Sequence, residues 1–394
     1  MSVNAPATVL QGTNILSPKE REPGLGRILF LVDQTVAVDN QMRTISKLLG
    51  HEVAVAPFHV SIYERGSKKK VVENLDGKPP YEDGKFDAEF VKMTRDSEQY
   101  LMLTAKPSPG ETKTAMEEAL RDRHDVMLTV MLAPSAKVSA TGSTYNLVAK
   151  EAGQKGGLLG ETTIKEAKVI ELRTLGPGAK YVLQYAMNVA KECSSTQQLE
   201  EKVRSFERNL VALFSPGDLR RLKDGGRVNM LQFAFGSFLH ARGIVSPDAT
   251  GEPKRVGVAK TENKLIELMT EKLPEKVDPD FNTVTIAHFD VQDDILTAAV
   301  KKTYEHYAVR ADTAEALAKL TVLLHKMKTF QVLNESDEKQ LQKFEVKTEK
   351  EIQDAIRARK QTAPLVEVEY FSKAVGAQSG SGTIAFVAPG ASEK

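Results

Sequence analysis

The sequence predicts an α/β protein in two domains: an N-terminal, mainly parallel sheet flanked by helices, then a C-terminal α+β domain. Three observations carry this reading. Short continuous apolar runs recur at 27–33, 126–132 and 167–172, the pattern of strands buried on both faces of a parallel sheet. Each is followed by a loop and then by helix-like periodicity, the alternation of an α/β unit. Beyond Ser194 the alternation gives way to hairpin signals and helices of a different order. At about 150 residues per domain, 394 residues hold two such units.

The first 26 residues are polar and broken by Pro and Gly, which reads as a loosely docked extension. The α/β domain then spans 27–194. Arg27-Ile-Leu-Phe-Leu-Val-Asp33 is its first strand, and a second is expected over 52–60 after Gly50. Residues 68–87 are dense in charge and read as a loop or hairpin. Ser108-Pro109-Gly110-Glu111 is a capping box with proline at the first helical position, and Met116 and Leu120 continue one apolar face. A strand over 126–132 leads to a small-residue loop, 134–144, and a helix over 145–152. The strand at 167–172 ends in Arg173-Thr-Leu-Gly-Pro-Gly178.

The α+β domain is expected over 195–394. Ser195 opens a helix whose Leu199, Val203 and Phe206 share a face. A strand over 210–214, a short helix and Gly225-Gly226 follow, then a strongly apolar helix over 230–240. Asp248-Ala-Thr-Gly-Glu-Pro253 reads as a turn between short strands. A helix (262–272), a strand (283–288) and a helix (293–307) come next. Residues 314–359 read as an insertion of two further helices, and strands over 365–370 and 383–387 close the chain.

Composition narrows the function. Lys plus Arg is 54 against 53 acidic residues, so no nucleic-acid footprint is expected. The single cysteine, Cys193, excludes an internal disulfide or a multi-cysteine metal site and points to a reducing, cytoplasmic setting. No secretory signal is evident at the N-terminus, and no run reaches the roughly 18 apolar residues of a membrane span. The serine-hydrolase elbow and the zinc-protease helix are missing. Gly257-Val-Ala-Lys260-Thr261 has Ala259 where a phosphate-cradling loop needs glycine, and Gly380-Ser-Gly382 precedes a strand rather than a helix. His288 stands out among scattered histidines because it ends a predicted strand.

In an open α/β sheet, ligands bind where strands end and loops cross to helices. Three such loops are rich in hydroxyls: Asp33-Gln34-Thr35, the segment 104–109, and 135–144 with Ser135, Ser139, Thr141, Ser143 and Thr144. Hydroxyls and free N–H groups at a helix start can hold a carboxylate or phosphate, although Ser and Thr are also simply common in turns.

Read in order, five segments resemble the DegV family, whose members include the fatty-acid-binding component of bacterial fatty acid kinase. They are Val32-Asp33-Gln34-Thr35; Thr104-Ala105-Lys106-Pro107-Ser108; Ser135-Ala136-Lys137-Val138-Ser139 with Thr144-Tyr145-Asn146; Leu222-Lys-Asp-Gly225-Gly226-Arg227-Val228; and Val375-Gly376-Ala377-Gln378-Ser379-Gly380-Ser381-Gly382. The resemblance covers roughly 27–304 and 365–390.

It implies a two-domain fold holding a long-chain fatty acid in an apolar tunnel between the domains, with no cofactor and no catalysis by this chain. A separate fatty acid kinase subunit would act on the bound carboxylate. Thr104 becomes the best carboxylate contact, with Ser135 or Ser139 as the serine contact and Thr35 and Thr144 as neighbours. Gln378 stands where the family has histidine, and an amide can donate a hydrogen bond but carries no charge. Gly226 and Arg227 form a family turn. Phe233, Phe235, Phe238 and Leu239 are candidates for the tunnel wall. A chain of about 16 carbons at ~0.8 kcal/mol per methylene offers ample gross affinity. Two other readings stand beside this one: a ligand-free structural or protein-interaction descendant of the fold, and the substrate-holding half of a small-molecule kinase.

Overall fold

The computed structural model describes residues 25–36, 38, 40–76, 81–82, 85–121, 127–137, 139–153, 158–159, 162–226, 241–329, 331, 333–360 and 362–391. The predicted apolar helix over 230–240, Arg227 and nearly all of the N-terminal extension lie outside the described residues.

The first half runs β1 (Ile28–Asp33), α1 (Asn40–Leu48), β2 (Glu52–Ala56), β3 (His59–Glu64), β4 (Lys70–Asp76), β5 (Tyr81–Glu82), β6 (Lys85–Phe86), α2 (Ala88–Arg95), β7 (Tyr100–Ala105), α3 (Pro109–Ala119), β8 (Met127–Pro134), α4 (Thr141–Gly153), β9 (Leu158–Leu159), β10 (Thr162–Leu172) and α5 (Pro177–Val189). Strands β2-β1-β8-β10 form a parallel sheet, with β9 added antiparallel at its edge. Alternate residues of its central strands feed opposite layers. Phe30, Val32, Val130 and Leu132 face Met42, α5 and the helix after it, whereas Leu29, Leu31, Met131 and Ala133 face Met116, Tyr145 and Val148. Two apolar faces explain why these strands read as continuous apolar runs.

The second half comprises α6 (Thr196–Asn209), β11 (Leu210–Ser215), α7 (Leu219–Asp224), β12 (Arg242–Pro247), β13 (Pro253–Ala259), α8 (Glu262–Glu271), β14 (Thr283–Phe289), α9 (Asp293–His306), α10 (Ala311–Lys328), α11 (Glu335–Phe344), α12 (Glu349–Lys360), β15 (Leu365–Tyr370), α13 (Lys373–Ser379) and β16 (Thr383–Pro389). Its six-stranded mixed sheet has the order β13-β12-β11-β16-β14-β15. One face packs on residues of α8, α9, α10 and α12, among them Leu265, Val300, Leu320 and Ile352. The other meets the first half through two shared clusters. Ala212 and Val387 join the core of α5 and α6, while Phe289, Phe371 and Ala385 pack with Val60, Ile62, Phe90 and Met102.

Three expectations are corrected. The strand expected over 52–60 is two strands, because Pro57 lacks the N–H a ladder needs; β3 departs into an antiparallel sheet, β4-β3-β7. The helix expected from 145 begins at Thr141, one turn earlier, because the Ser139 hydroxyl accepts the Thr141 N–H. The region 314–359 holds three helices rather than two. The first, α10, is core rather than appendage: Leu317, Ala318 and Leu320 are fully buried, and Lys326 pairs with Asp293 and Asp337 to tie α9, α10 and α11 together.

Local signals held where chemistry is local. Ser108 and Glu111 form both halves of the capping box, and Ser195 accepts from the Gln198 N–H. Ser108→Ala is expected to cost about 1 kcal/mol, read as a lowered midpoint in urea unfolding.

His288 lies one residue before the end of β14. It is fully buried, with its Nε2 2.9 Å from Nε2 of His325. The Val291 N–H donates to His288 Nδ1 and His325 Nδ1 lies 3.1 Å from the Val368 carbonyl. One chain of neutral tautomers satisfies all three contacts, with His288 Nε2–H donating to His325 and His325 Nδ1–H donating to Val368. Burial pushes His288 well below the usual histidine range and His325 down to about 3. The unfolded chain therefore binds more protons below pH ~6.5, so this stability is complete above neutrality and lost as pH falls, by up to ~1.4 kcal/mol per pH unit per histidine. Unfolding free energies at pH 7.5 and 5 should fall less steeply in His325→Gln; an unchanged slope would count against the pair.

Candidate functional site

The two halves do not close completely against each other. Between the inner face of the second sheet and the first domain lies an apolar cavity of about 120 Å³. Its floor is β11 and β16, with Ala212, Phe214, Ala385 and Val387; Leu175 comes from the loop leading into α5 and Pro177 from the first position of that helix. Phe371 and Val375 form the side toward α13, while Val245, Pro247 and Pro253 of the β12–β13 hairpin form the opposite edge. Such a lining suits hydrocarbon better than water, with few polar groups left to orient a head.

The polar members are Arg173, Thr174, Ser246, Gln378 and Ser379. Gln378 is half-buried near the end of α13, and its Nε2 donates to the Thr104 hydroxyl at the end of β7. The structure thus joins two expected site residues 274 positions apart. Ser379 donates to the Val375 carbonyl at 2.7 Å and Thr174 to the Leu175 carbonyl at 3.4 Å, so both hydroxyls are engaged along their own backbone. Thr104 closes the three-stranded sheet rather than the parallel one, correcting its expected place.

Ser135 follows β8 and is buried, with its Oγ 3.3 Å from the Thr250 carbonyl. It abuts Gly251, which lines the cavity at a φ of +78°; a Cβ there would lie 2.6 Å from Ser135 Cβ. Ser135 therefore borders the cavity across one hairpin turn, which separates it from the alternative, Ser139.

Ser139, Thr35 and Thr144 gather elsewhere, around Asp33 and the start of α4. The Thr35 N–H and Oγ1 reach Asp33 Oδ1 at 2.9 and 2.5 Å, and Ser139 Oγ lies 2.8 Å from Thr141 Oγ1. Burial raises the Asp33 pKa, opposed by hydrogen bonds from Thr35 and Thr141. Thr144 is buried in the first turn of α4. Lys106 spans toward this cluster, donating to Ser143 Oγ at 2.7 Å and to the Ala140 carbonyl at 3.2 Å. Gly226 ends α7 at a φ of +74°, the left-handed geometry glycine permits. Arg227, Phe233, Phe235, Phe238 and Leu239 lie outside the described residues.

Residue-by-residue reading missed Arg173, Gly251 and Phe371. Arg173 ends an apolar strand run, the one signal that could have marked it. Among the described residues there is no group of three or more side chains able to hold a metal ion, and no helix long and apolar enough to cross a membrane.

The model of the DegV family described as COG1307 matches residues 74–326, well over half of the chain and reaching into α10. A DegV domain-containing protein of Clostridium perfringens is 28% identical over 164 residues; the match covers 41% of this chain and spans 55% of that relative's length. One from Staphylococcus aureus is 24% identical over 204 residues, 52% of this chain and 67% of the relative. Among solved structures, a fatty-acid-binding DegV family protein from Thermus thermophilus shares the fold, with a TM-score of 0.56 at 17% identity over 92% of this chain and 99% of the other. The Fatty Acid Kinase B3 protein of Streptococcus pneumoniae, solved loaded with linoleic acid, gives 0.53 at 12% identity over 92% and 99%. The ordered motifs, the two-domain fold and the family match agree: this chain belongs to the DegV family.

Proposed function

We propose that this protein is a fatty-acid carrier that seats part of a long acyl chain in the cavity between its second sheet and first domain and presents the head group at the Thr104–Gln378 end. The observation that carries this reading is the coincidence of an apolar cavity with those two residues: Gln378 lines it and hydrogen-bonds Thr104. Ser135 stands behind the Gly251 turn at the opposite edge, so in this reading the head group is met by Thr104 and Gln378. Hydrocarbon burial supplies the affinity at ~0.8 kcal/mol per methylene, and the Thr104 hydroxyl and Gln378 amide fix orientation. That structural neighbours were solved as fatty-acid complexes supports the same ligand class.

In this reading the chain is not itself an enzyme, and a separate fatty acid kinase subunit in the cytoplasm acts on the exposed carboxylate. The fatty acid kinase neighbour supports that partner. Gln378 supplies hydrogen bonds without charge, so head-group binding rests on the acyl chain more than on electrostatics.

Native mass spectrometry of the purified protein, followed by extraction and lipid identification, tests the proposal. Near one fatty acid per chain is expected. Thr104→Ala should weaken uptake of added palmitate about tenfold to a hundredfold, the effect of one lost hydrogen bond to a charged group. An empty protein that takes up neither palmitate nor oleate would overturn the carrier reading.

A further inference from the structure

The cavity edge opposite Gln378 is made by the turn 248–253, which belongs to the second domain but rests on the first. Arg173, the residue directly after β10, holds it there. Its Nε donates to the Asp248 carbonyl at 2.8 Å, its Nη2 to the Pro247 carbonyl at 3.4 Å and its Nη1 to the Glu207 carbonyl near the end of α6 at 3.1 Å. The Arg173 backbone N–H donates to the buried Glu207 carboxylate at 2.7 Å. One guanidinium thus joins the end of a first-domain strand, the end of a helix and a second-domain turn. Its fork geometry is suited to bridging several acceptors at once.

The turn is shaped to be held. Asp248 Oδ1 accepts from the Thr250 and Glu252 N–H groups at 2.8 and 3.1 Å, which fixes the loop internally. Gly251, in left-handed backbone, then presses against Ser135 and Arg173; an added Cβ would stand 2.6 Å from Ser135 Cβ and 3.2 Å from Arg173 Cα. Packing this close seats the turn directly on the first domain. Among the described residues, its bonds across to the first domain are the Arg173 contacts and the long Ser135–Thr250 contact of 3.3 Å. Such a small set of polar contacts can open without unfolding either core.

We propose that Arg173 is a positioning residue that straps the 248–253 turn over the cavity, so that release of this strap governs how fast an acyl ligand enters and leaves. The inference rests on the carrier reading above and adds to it a gate and the residue that controls it.

Stopped-flow fluorescence with cis-parinaric acid, chased with excess oleate, tests it. Arg173→Ala should release the probe about tenfold faster and take it up faster, because an open edge speeds both directions. Arg173→Lys should fall between, since one ammonium cannot bridge three carbonyls. Gly251→Ala, which drives a methyl against Ser135 while leaving Arg173 intact, should speed exchange in the same direction, and it decides the matter should Arg173→Ala not fold. Folded Arg173→Ala or Gly251→Ala exchanging at the wild-type rate overturns the strap and leaves the carrier reading standing. Faster release with slower uptake, the signature of a damaged site rather than an opened one, also overturns it. Wild-type protein that takes up no probe overturns the carrier reading, and the strap with it.

Discussion

The second sheet has two apolar faces, and its helices α8, α9 and α10 cover one of them. Leu213, Ile286 and Phe386 are on that face; Ala212, Phe289, Ala385 and Val387 point the other way and are buried jointly by the first domain, α6 and α13. At roughly 25 cal/mol per Å² of apolar surface removed from water, that burial is the strongest force between the halves. It brings α5 and α6 against one part of the face and β3, β7 and α2 against another. The cavity is what remains between these two covers, so it follows from the packing of separate elements on one sheet.

Polar contacts then decide how the covers are held. Tyr181 of α5 donates to the Thr283 carbonyl at 3.1 Å and lies 2.9 Å from Thr285 Oγ1. Arg221, wholly buried, donates to the carbonyls of Tyr100, Met93 and Thr94 and so ties α7 to the end of α2 and the start of β7. These joints are buried beside the hydrophobic clusters, where exchanging a protein partner for water is costly. The Arg173 and Thr104–Gln378 contacts are different. They lie at the cavity's ends and are partly open to solvent, where exchanging a protein partner for a ligand or water costs less. Buried sides with adjustable ends suit a carrier.

What the sequence disclosed follows from how far apart the interacting groups are. The capping box at Ser108 and the turn at 248–253 depend on neighbours within a few residues, and both are where local chemistry put them. The apolar runs of β1, β8 and β10 disclosed a parallel sheet because burial on two faces leaves a continuous pattern. Pro57 was visible, but its consequence was not, since nothing nearby announces that β3 joins a different sheet. Helix α10 was misplaced for a related reason: mixed with charged residues it resembles a surface insertion, and only the second sheet explains Leu317 and Leu320. At the site, Thr104 and Gln378 were singled out by family resemblance, while their contact and the part played by Arg173 depend on the relative placement of two domains. Thr35, Ser139 and Thr144 share the same hydroxyl chemistry yet gather around Asp33 instead.

The most direct test of the account is to locate the acyl chain. A palmitate analogue carrying a diazirine near mid-chain, photolysed in the complex and mapped by peptide mass spectrometry, reports its neighbours. The account predicts label on β11, β16 or the Phe371–Val375 segment, lost when unmodified palmitate competes. Competed label confined to the outer helices α8 to α12, with none on those segments, would contradict it.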